Sequence, residues 1–209
     1  PDTSSRNLSN MFDIPFPSNI VVGQQLTNYM VTPDHVLIVP PKEPYFQTPE
    51  TASYLRSRLP ASPNPPTRIM YVTRGANVGR HVINDTDFQS ALKKLIPSIE
   101  IIADPGHLSV YGQYELFRDA RLIIAPHGAA LTNLCFATAN MTLIELSGDK
   151  HRGTYGTTTR LFGQLRQHKI IYCPNDHKLH LIVNITEVTG LIREYLSSNA
   201  NTRDLLADV

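Results

Sequence analysis

The pattern of apolar and polar positions changes character near residue 67. From there on, short unbroken apolar runs alternate with stretches of helical period. Residues 69–72, 99–103, 122–125 and 142–146 read as strands. Residues 122–125 are apolar without a break, as in a strand covered on both faces of a parallel sheet. Between them, Asn84 reads as a helix N-cap, and Asp87 three positions on imitates a capping box. Phe88, Leu92 and Leu95 then share one helical face until Pro97 closes it. A second helix is expected from Tyr111 to Asp119. Pro126-His127-Gly128-Ala129-Ala130 reads as a tight turn into a short helix. A helix over roughly 157–168, a strand at 170–172, and a last helix capped by Thr186 and bearing Val188, Leu191, Ile192 and Tyr195 complete the pattern. Alternating strands and helices with short links predict an α/β fold with a doubly wound parallel sheet.

The chain before residue 67 is less regular. Apolar patches at 20–22 and 36–39 are interrupted by prolines, and the second reads as a short buried strand. A helix is expected over 48–59, with Thr48 as cap and Pro49 in its first turn. Ala52, Leu55 and Leu59 would share its inner face. Residues 60–66, Pro-Ala-Ser-Pro-Asn-Pro-Pro, form a stiff linker, because proline fixes φ and supplies no ladder donor. The expected organisation is therefore residues 1–66 as one unit and 67–209 as another.

Composition narrows the function classes. Hydrophobic residues make up 41% of 209, enough for a packed core. The longest apolar run falls far short of the roughly 20 residues that a membrane span requires. Net charge is +1, and the Lys and Arg residues are scattered, which argues against nucleic acid as a partner. Cys135 and Cys173 make neither a zinc motif nor a disulfide framework and read as buried thiols. The chain begins at Pro1 with no signal-peptide pattern, so a piece of a longer protein is expected. Asn-x-Ser/Thr sequons stand at Asn7, Asn84, Asn140 and Asn184.

The strongest chemical signal is the strand–turn–helix over 122–136. Such a turn aims backbone N–H groups at the carboxyl edge of the sheet, where α/β folds bind ligands and where a phosphate or diphosphate is favoured. Gly128, Ala129 and Ala130 lack bulk, so a ligand can approach the backbone. His127, on the turn, suits a donor to phosphate, a general base, or a structural imidazole. The other seven histidines read as surface or packing residues. Thr132 and Asn133, in the first turns of the helix, suit ligand contact or local capping. Glu145 interrupts an apolar strand and needs a partner if buried: ribose hydroxyls, a structural Arg, or solvent at a strand end.

Arg74 follows the strand at 69–73, on the same sheet edge as His127. A guanidinium there suits bidentate binding of a diphosphate. Arg80 closes the loop Gly75-Ala76-Asn77-Val78-Gly79 and is either a second anion ligand or a solvated charge. No Gly-x-Gly-x-x-Gly, Walker lysine, Gly-x-Ser-x-Gly or His-Glu-x-x-His occurs, which removes the obvious dinucleotide, kinase, hydrolase and zinc-protease readings. Asp85-Thr86-Asp87 has the spelling of a metal–sugar motif but opens a helix, where carboxylates serve the helix dipole.

Taken in order, these segments resemble glycosyltransferase family 61. The similarity runs through Ile69-Met70-Tyr71-Val72-Thr73-Arg74 and Arg80-His81-Val82-Ile83-Asn84-Asp85. It continues in the Gln113-containing helix, in His127-Gly128-Ala129-Ala130-Leu131-Thr132-Asn133, and in the following Glu145. It covers about residues 36–146. Ala130 stands where the family usually has Gly, Thr73 for Ser and Asp85 for Glu.

The resemblance implies a two-lobed GT-B fold, here a Rossmann-type nucleotide-sugar lobe with a partial N-terminal acceptor lobe. It implies inversion at the anomeric carbon, a UDP-sugar donor, a glycan or protein hydroxyl as acceptor, and no required metal or cofactor. It also implies a Golgi or endoplasmic reticulum lumen location in a eukaryote and the cytoplasm in a bacterium. The donor would be held by Arg74, Arg80, Asn84, Gly128, Ala129, Ala130, Thr132, Asn133 and Glu145. The base would be His127 or Asp104, which follows the strand at 99–103. A catalytically silent nucleotide- or glycan-binding module is the competing expectation.

Overall fold

The computed structural model describes residues 56–57, 59–62, 65–74, 81–137, 141–148, 165–198 and 203–206. The expected strand at 36–39, most of the expected helix at 48–59, Arg80 with its loop, and residues 157–164 lie outside them.

Among the described residues five strands form one sheet: β1 Arg68–Thr73, β2 Glu100–Ala103, β3 Ala120–Pro126, β4 Met141–Gly148 and β5 Leu165–Cys173. Their order is β2-β1-β3-β4-β5 and every pairing is parallel. The α/β fold and its parallel sheet are thus as the apolar runs indicate. In this order the winding reverses between β1 and β3. At such a reversal the connections leave to opposite sides and open a crevice at the carboxyl ends of the strands.

Side-chain alternation along the strands builds two cores, one on each face. Ile69, Tyr71, Leu122, Ile124, Ile144 and Leu146 face one side. They meet α1, Asp85–Leu95, through Phe88, Leu92 and Leu95, and α3, Ile185–Ser197, through Val188, Ile192 and Leu196. Met70, Val72, Ile123, Ala125 and Leu143 face the other side. There they meet α2, Val110–Arg118, and a 3-10 helix, Ala129–Phe136, that follows β3. Both cores end at the same carboxyl edge, so that edge is held rigidly from two sides.

Three local expectations need correction. Residues 165–168 continue β5 rather than end a helix. β4 offers them a full parallel ladder, and tertiary pairing overrides a local helical pattern. The cap of α3 is Asn184, whose Oδ1 accepts from the Glu187 N–H at 3.3 Å, not Thr186. Asn84 does stand at the N-cap position of α1, but its side chain makes no cap bond. Instead it donates from Nδ2 to the Val183 carbonyl at 2.7 Å and accepts from the Val183 N–H at 3.1 Å. This clamp ties the start of α1 to the segment that leads into α3.

Both cysteines are free thiols; Cys173 is buried and Cys135 half-buried. Burial pushes the Cys135 thiol up to about 12, so it is protonated at neutral pH. The start of the proline linker and the chain just ahead of it touch this domain. Leu59 joins the second core, Arg56 donates to the Cys135 carbonyl at 3.2 Å, and the Tyr114 hydroxyl donates to the Pro60 carbonyl. Among the described residues no helix is long and apolar enough to cross a membrane.

Candidate functional site

A cleft of about 270 Å³ opens at the carboxyl edge of the sheet, at the β1–β3 reversal. Thr73 and Arg74 line it from the end of β1, Asp104 and Gly106 from the end of β2, and Gln113 from α2. Ala129, Ala130, Thr132 and Asn133 line it from the 3-10 helix after β3. Strands that end in apolar positions give way here to small and polar residues, because the chain must turn and the edge is wet.

Arg74 lies across the turn. Its guanidinium donates to the His127 carbonyl at 3.3 Å. A Cβ built on Gly128 would stand 2.7 Å from Arg74 Nη1 and 2.8 Å from its Cζ. Glycine is needed at 128 for this approach and not for backbone conformation, since its φ of 163° is ordinary extended chain. The next residues, Ala129 and Ala130, open the 3-10 helix, whose first N–H groups have no acceptor within the helix. A cation and oriented N–H donors therefore converge on one end of the cleft, which is the chemistry of an anion site.

Asn133 is only 7% exposed and lines the cleft. Thr132 donates its hydroxyl proton to the Ala129 carbonyl at 2.7 Å, so toward a ligand it presents an acceptor.

Asp104 is exposed and holds a positive φ of 27°. A non-glycine residue in that region stores strain, and such outliers gather at functional sites. Its carboxylate accepts from the Gly106 N–H at 3.1 Å, and its backbone carbonyl meets His107 Nδ1. The aspartate is therefore fixed in direction at the rim of the cleft.

Glu145 and His127 lie behind the cleft. Glu145 is 1% exposed and His127 4%. His127 Nδ1 is 2.5 Å from one carboxylate oxygen of Glu145, and His168 Nε2 is 2.9 Å from the other. With the carboxylate ionised, both imidazoles donate. Burial pushes the Glu145 carboxyl up, but the hydrogen bonds from His127 and His168 and their charges outweigh burial and hold its pKa at about 2. Within the chain the partners of Glu145 are thus two histidines, where its sequence position suggests ribose hydroxyls, a structural arginine or solvent at a strand end. His127 is fixed further by its own N–H, which donates to the Leu146 carbonyl at 2.8 Å. The turn carrying Gly128 is anchored from beneath by this network.

A second network holds the end of β1. Asp85 accepts from the Tyr71 hydroxyl at 2.5 Å, from Thr73 Oγ1 at 2.7 Å and from Gln89 Nε2 at 2.6 Å. Burial first, and then the Asp85 charge, push the Tyr71 hydroxyl well above its usual range, so it remains a donor. Asp85 stands in the first turn of α1, and here it braces the strand that presents Arg74.

Of the residues singled out from the sequence, Arg74, Asp104, Ala129, Ala130, Thr132 and Asn133 meet at the cleft, with Gly128 directly beneath Arg74. His127 and Glu145 form the support beneath the turn. Asn84 clamps Val183, both ends of its amide engaged by backbone, and does not line the cleft. Arg80 lies outside the described residues. Sequence reasoning passed over Thr73, Gly106 and Gln113 as cleft residues, and His168 as a partner of Glu145. Gln113 is the one amide side chain on α2, which also carries Glu115 and Arg118. His168 was hidden by the misread helix; placed on β5, it pairs with Leu143 in register, on the same face as Glu145.

The sequence model of a family described as Glycosyltransferase 61 matches residues 8–144. That span begins upstream of the proline linker and ends one residue before Glu145. No curated protein matches the chain.

Proposed function

The chain belongs to glycosyltransferase family 61, and from that premise we propose that it is an inverting transferase using a UDP-sugar, with a glycan or protein hydroxyl as acceptor. Glycosyl transfer between a sugar donor and an acceptor is what membership of the family implies. The observation that carries the finer reading is the cleft at the β1–β3 reversal. There Arg74 lies against Gly128, beside the small residues that open the 3-10 helix.

In this reading the donor diphosphate rests against Arg74 and the N–H groups at Ala129 and Ala130. The acceptor hydroxyl gives its proton to the Asp104 carboxylate, and its oxygen forms a bond to the anomeric carbon. The bond from that carbon to the diphosphate oxygen breaks, and UDP leaves with the electron pair. Charge grows on the diphosphate as this happens. Arg74 and the preoriented N–H groups stabilise it more in the transition state than in the bound donor, which lowers the barrier. No resident metal or cofactor is required for these steps.

Asp104 suits the base better than His127 does, because Asp104 lines the cleft while His127 is buried against Glu145. We assign His127 to holding the turn. Residues 1–66 belong to the acceptor side in this reading, within the N-terminal lobe of a GT-B arrangement.

The test is turnover. UDP-sugars are incubated with glycan and serine- or threonine-peptide acceptors, with EDTA present, and the anomeric configuration of any product is read by proton NMR. A product inverted relative to the donor supports the proposal. A retained configuration overturns the inverting mechanism. UDP binding without turnover on any acceptor favours a silent binding module.

A further inference from the structure

The two ends of the cleft have opposite hydrogen-bonding character. At the β1–β3 end, Arg74 and the opening of the 3-10 helix offer donors. At the β2 end, Asp104 offers a carboxylate. Gln113 reaches the same cleft from α2, and its amide is oriented: Nε2 donates to the Leu108 carbonyl at 3.0 Å. Leu108 itself is held, since its N–H donates to the Pro105 carbonyl. With the nitrogen anchored, the carbonyl end, Oε1, is the end offered to a ligand.

A wall that presents a carboxylate and an amide carbonyl favours a ligand group that donates hydrogen bonds. It disfavours a diphosphate, which carries only acceptors and would also meet the charge of Asp104. The diphosphate therefore stays at the Arg74 end, and one of the two groups flanking it points toward Asp104 and Gln113. If Asp104 takes the proton of the attacking hydroxyl, the anomeric carbon must lie near Asp104. The flanking group at that end is then the transferred sugar.

Resting on the donor-site reading above, we infer that Gln113 is a further binding residue that accepts hydrogen bonds from hydroxyl groups of the transferred sugar. Gln113 has no part in holding the nucleoside. Its anchor also explains why a side chain on α2, otherwise a packing helix, matters to the substrate.

The experiment is calorimetric titration of the wild-type chain, Gln113→Leu and Gln113→Met with UDP and with UDP-glucose, UDP-N-acetylglucosamine and UDP-xylose. For whichever sugar nucleotide the wild type binds, Gln113→Leu should weaken affinity about five- to tenfold, the size of one lost hydrogen bond. UDP affinity should change less than about twofold. Gln113→Met preserves side-chain length and helix packing, and should give the same split if Gln113→Leu folds poorly. Equal weakening of UDP and sugar nucleotide overturns the inference, since the residue would then serve the nucleoside or the fold. Unchanged affinity for both overturns it as well. A wild type that binds none of the four ligands rejects the donor site itself, and this inference with it. A wild type that binds UDP with no variant effect rejects only the inference.

Discussion

Asp104 and Glu145 both belong to the carboxyl half of one parallel sheet, and their surroundings are opposite. Asp104 is exposed and strained at its backbone, and its carboxylate is held by one local contact, from the Gly106 N–H. Glu145 lies two strands away in sheet order from β1, is 1% exposed, and is bound at both oxygens by histidines. On the proposed reading the first meets something that arrives. The second is built to keep a turn still. A carboxylate near a ligand site is thus not by itself a ligand group; its partners decide which task it performs. The same division separates Arg74, which faces the cleft, from Asn84, whose amide is occupied by the Val183 backbone.

The sharpest way to break this contrast is to neutralise each carboxylate and see which property moves. Asp104→Asn should lower turnover about 10²- to 10⁴-fold, as loss of a general base does, with UDP affinity and thermal midpoint nearly unchanged. Steady-state kinetics beside a titration checks this. Loss of UDP affinity in proportion to turnover would remove Asp104 from the role of base.

Glu145→Gln should act on stability instead. The carboxyl is held at about 2, against an ordinary 4.5, and that difference corresponds to about 3 kcal/mol favouring the ionised form in the folded chain. Because the folded pKa is the lower one, this contribution is full above about pH 4.5 and is lost as the pH falls toward 2. Urea unfolding of wild type and variant across that window should show the gap closing. A gap that stays constant down to pH 2 would mean that the ionised carboxylate is not what holds the network.

Gly128→Ala is the smallest of these effects and the most local. The added methyl collides with the movable end of Arg74 rather than with backbone. Nucleotide affinity should fall about three- to tenfold as the guanidinium is displaced and its charged hydrogen bonds loosen. The thermal midpoint should hold within a few degrees. A large stability loss with unchanged affinity would place Gly128 on the supporting side of the division.

Much of this arrangement was legible from residue order. The central strands β1, β3 and β4 announced themselves because they are covered on both faces and are therefore largely apolar. The turn at 126–130 announced itself because small residues follow an apolar strand. Arg74 was legible because a charge directly after a buried strand falls on the carboxyl edge. Long-range pairing was not legible. Nothing local to Glu145 indicates that His168, on an edge strand with a helix-like pattern, reaches its second oxygen. Nothing around Asn84 reports that Val183 lies opposite. Gln113 was visible only within the helix that carries the family resemblance, and its side-chain direction depends on the Leu108 carbonyl, which only the fold brings to it. Partners of polar side chains are set by tertiary packing, and local periodicity does not carry that information.

The central claim is that the cleft beside Arg74 and Gly128 holds the donor diphosphate. Calorimetric titration with UDP, beside GDP and ADP, with EDTA present, on wild type and Arg74→Ala tests it most directly. The account predicts selective UDP binding that weakens about 10- to 100-fold in Arg74→Ala, the range for lost charge-assisted hydrogen bonds, while the variant remains folded. UDP binding of equal strength in wild type and a folded Arg74→Ala would contradict it.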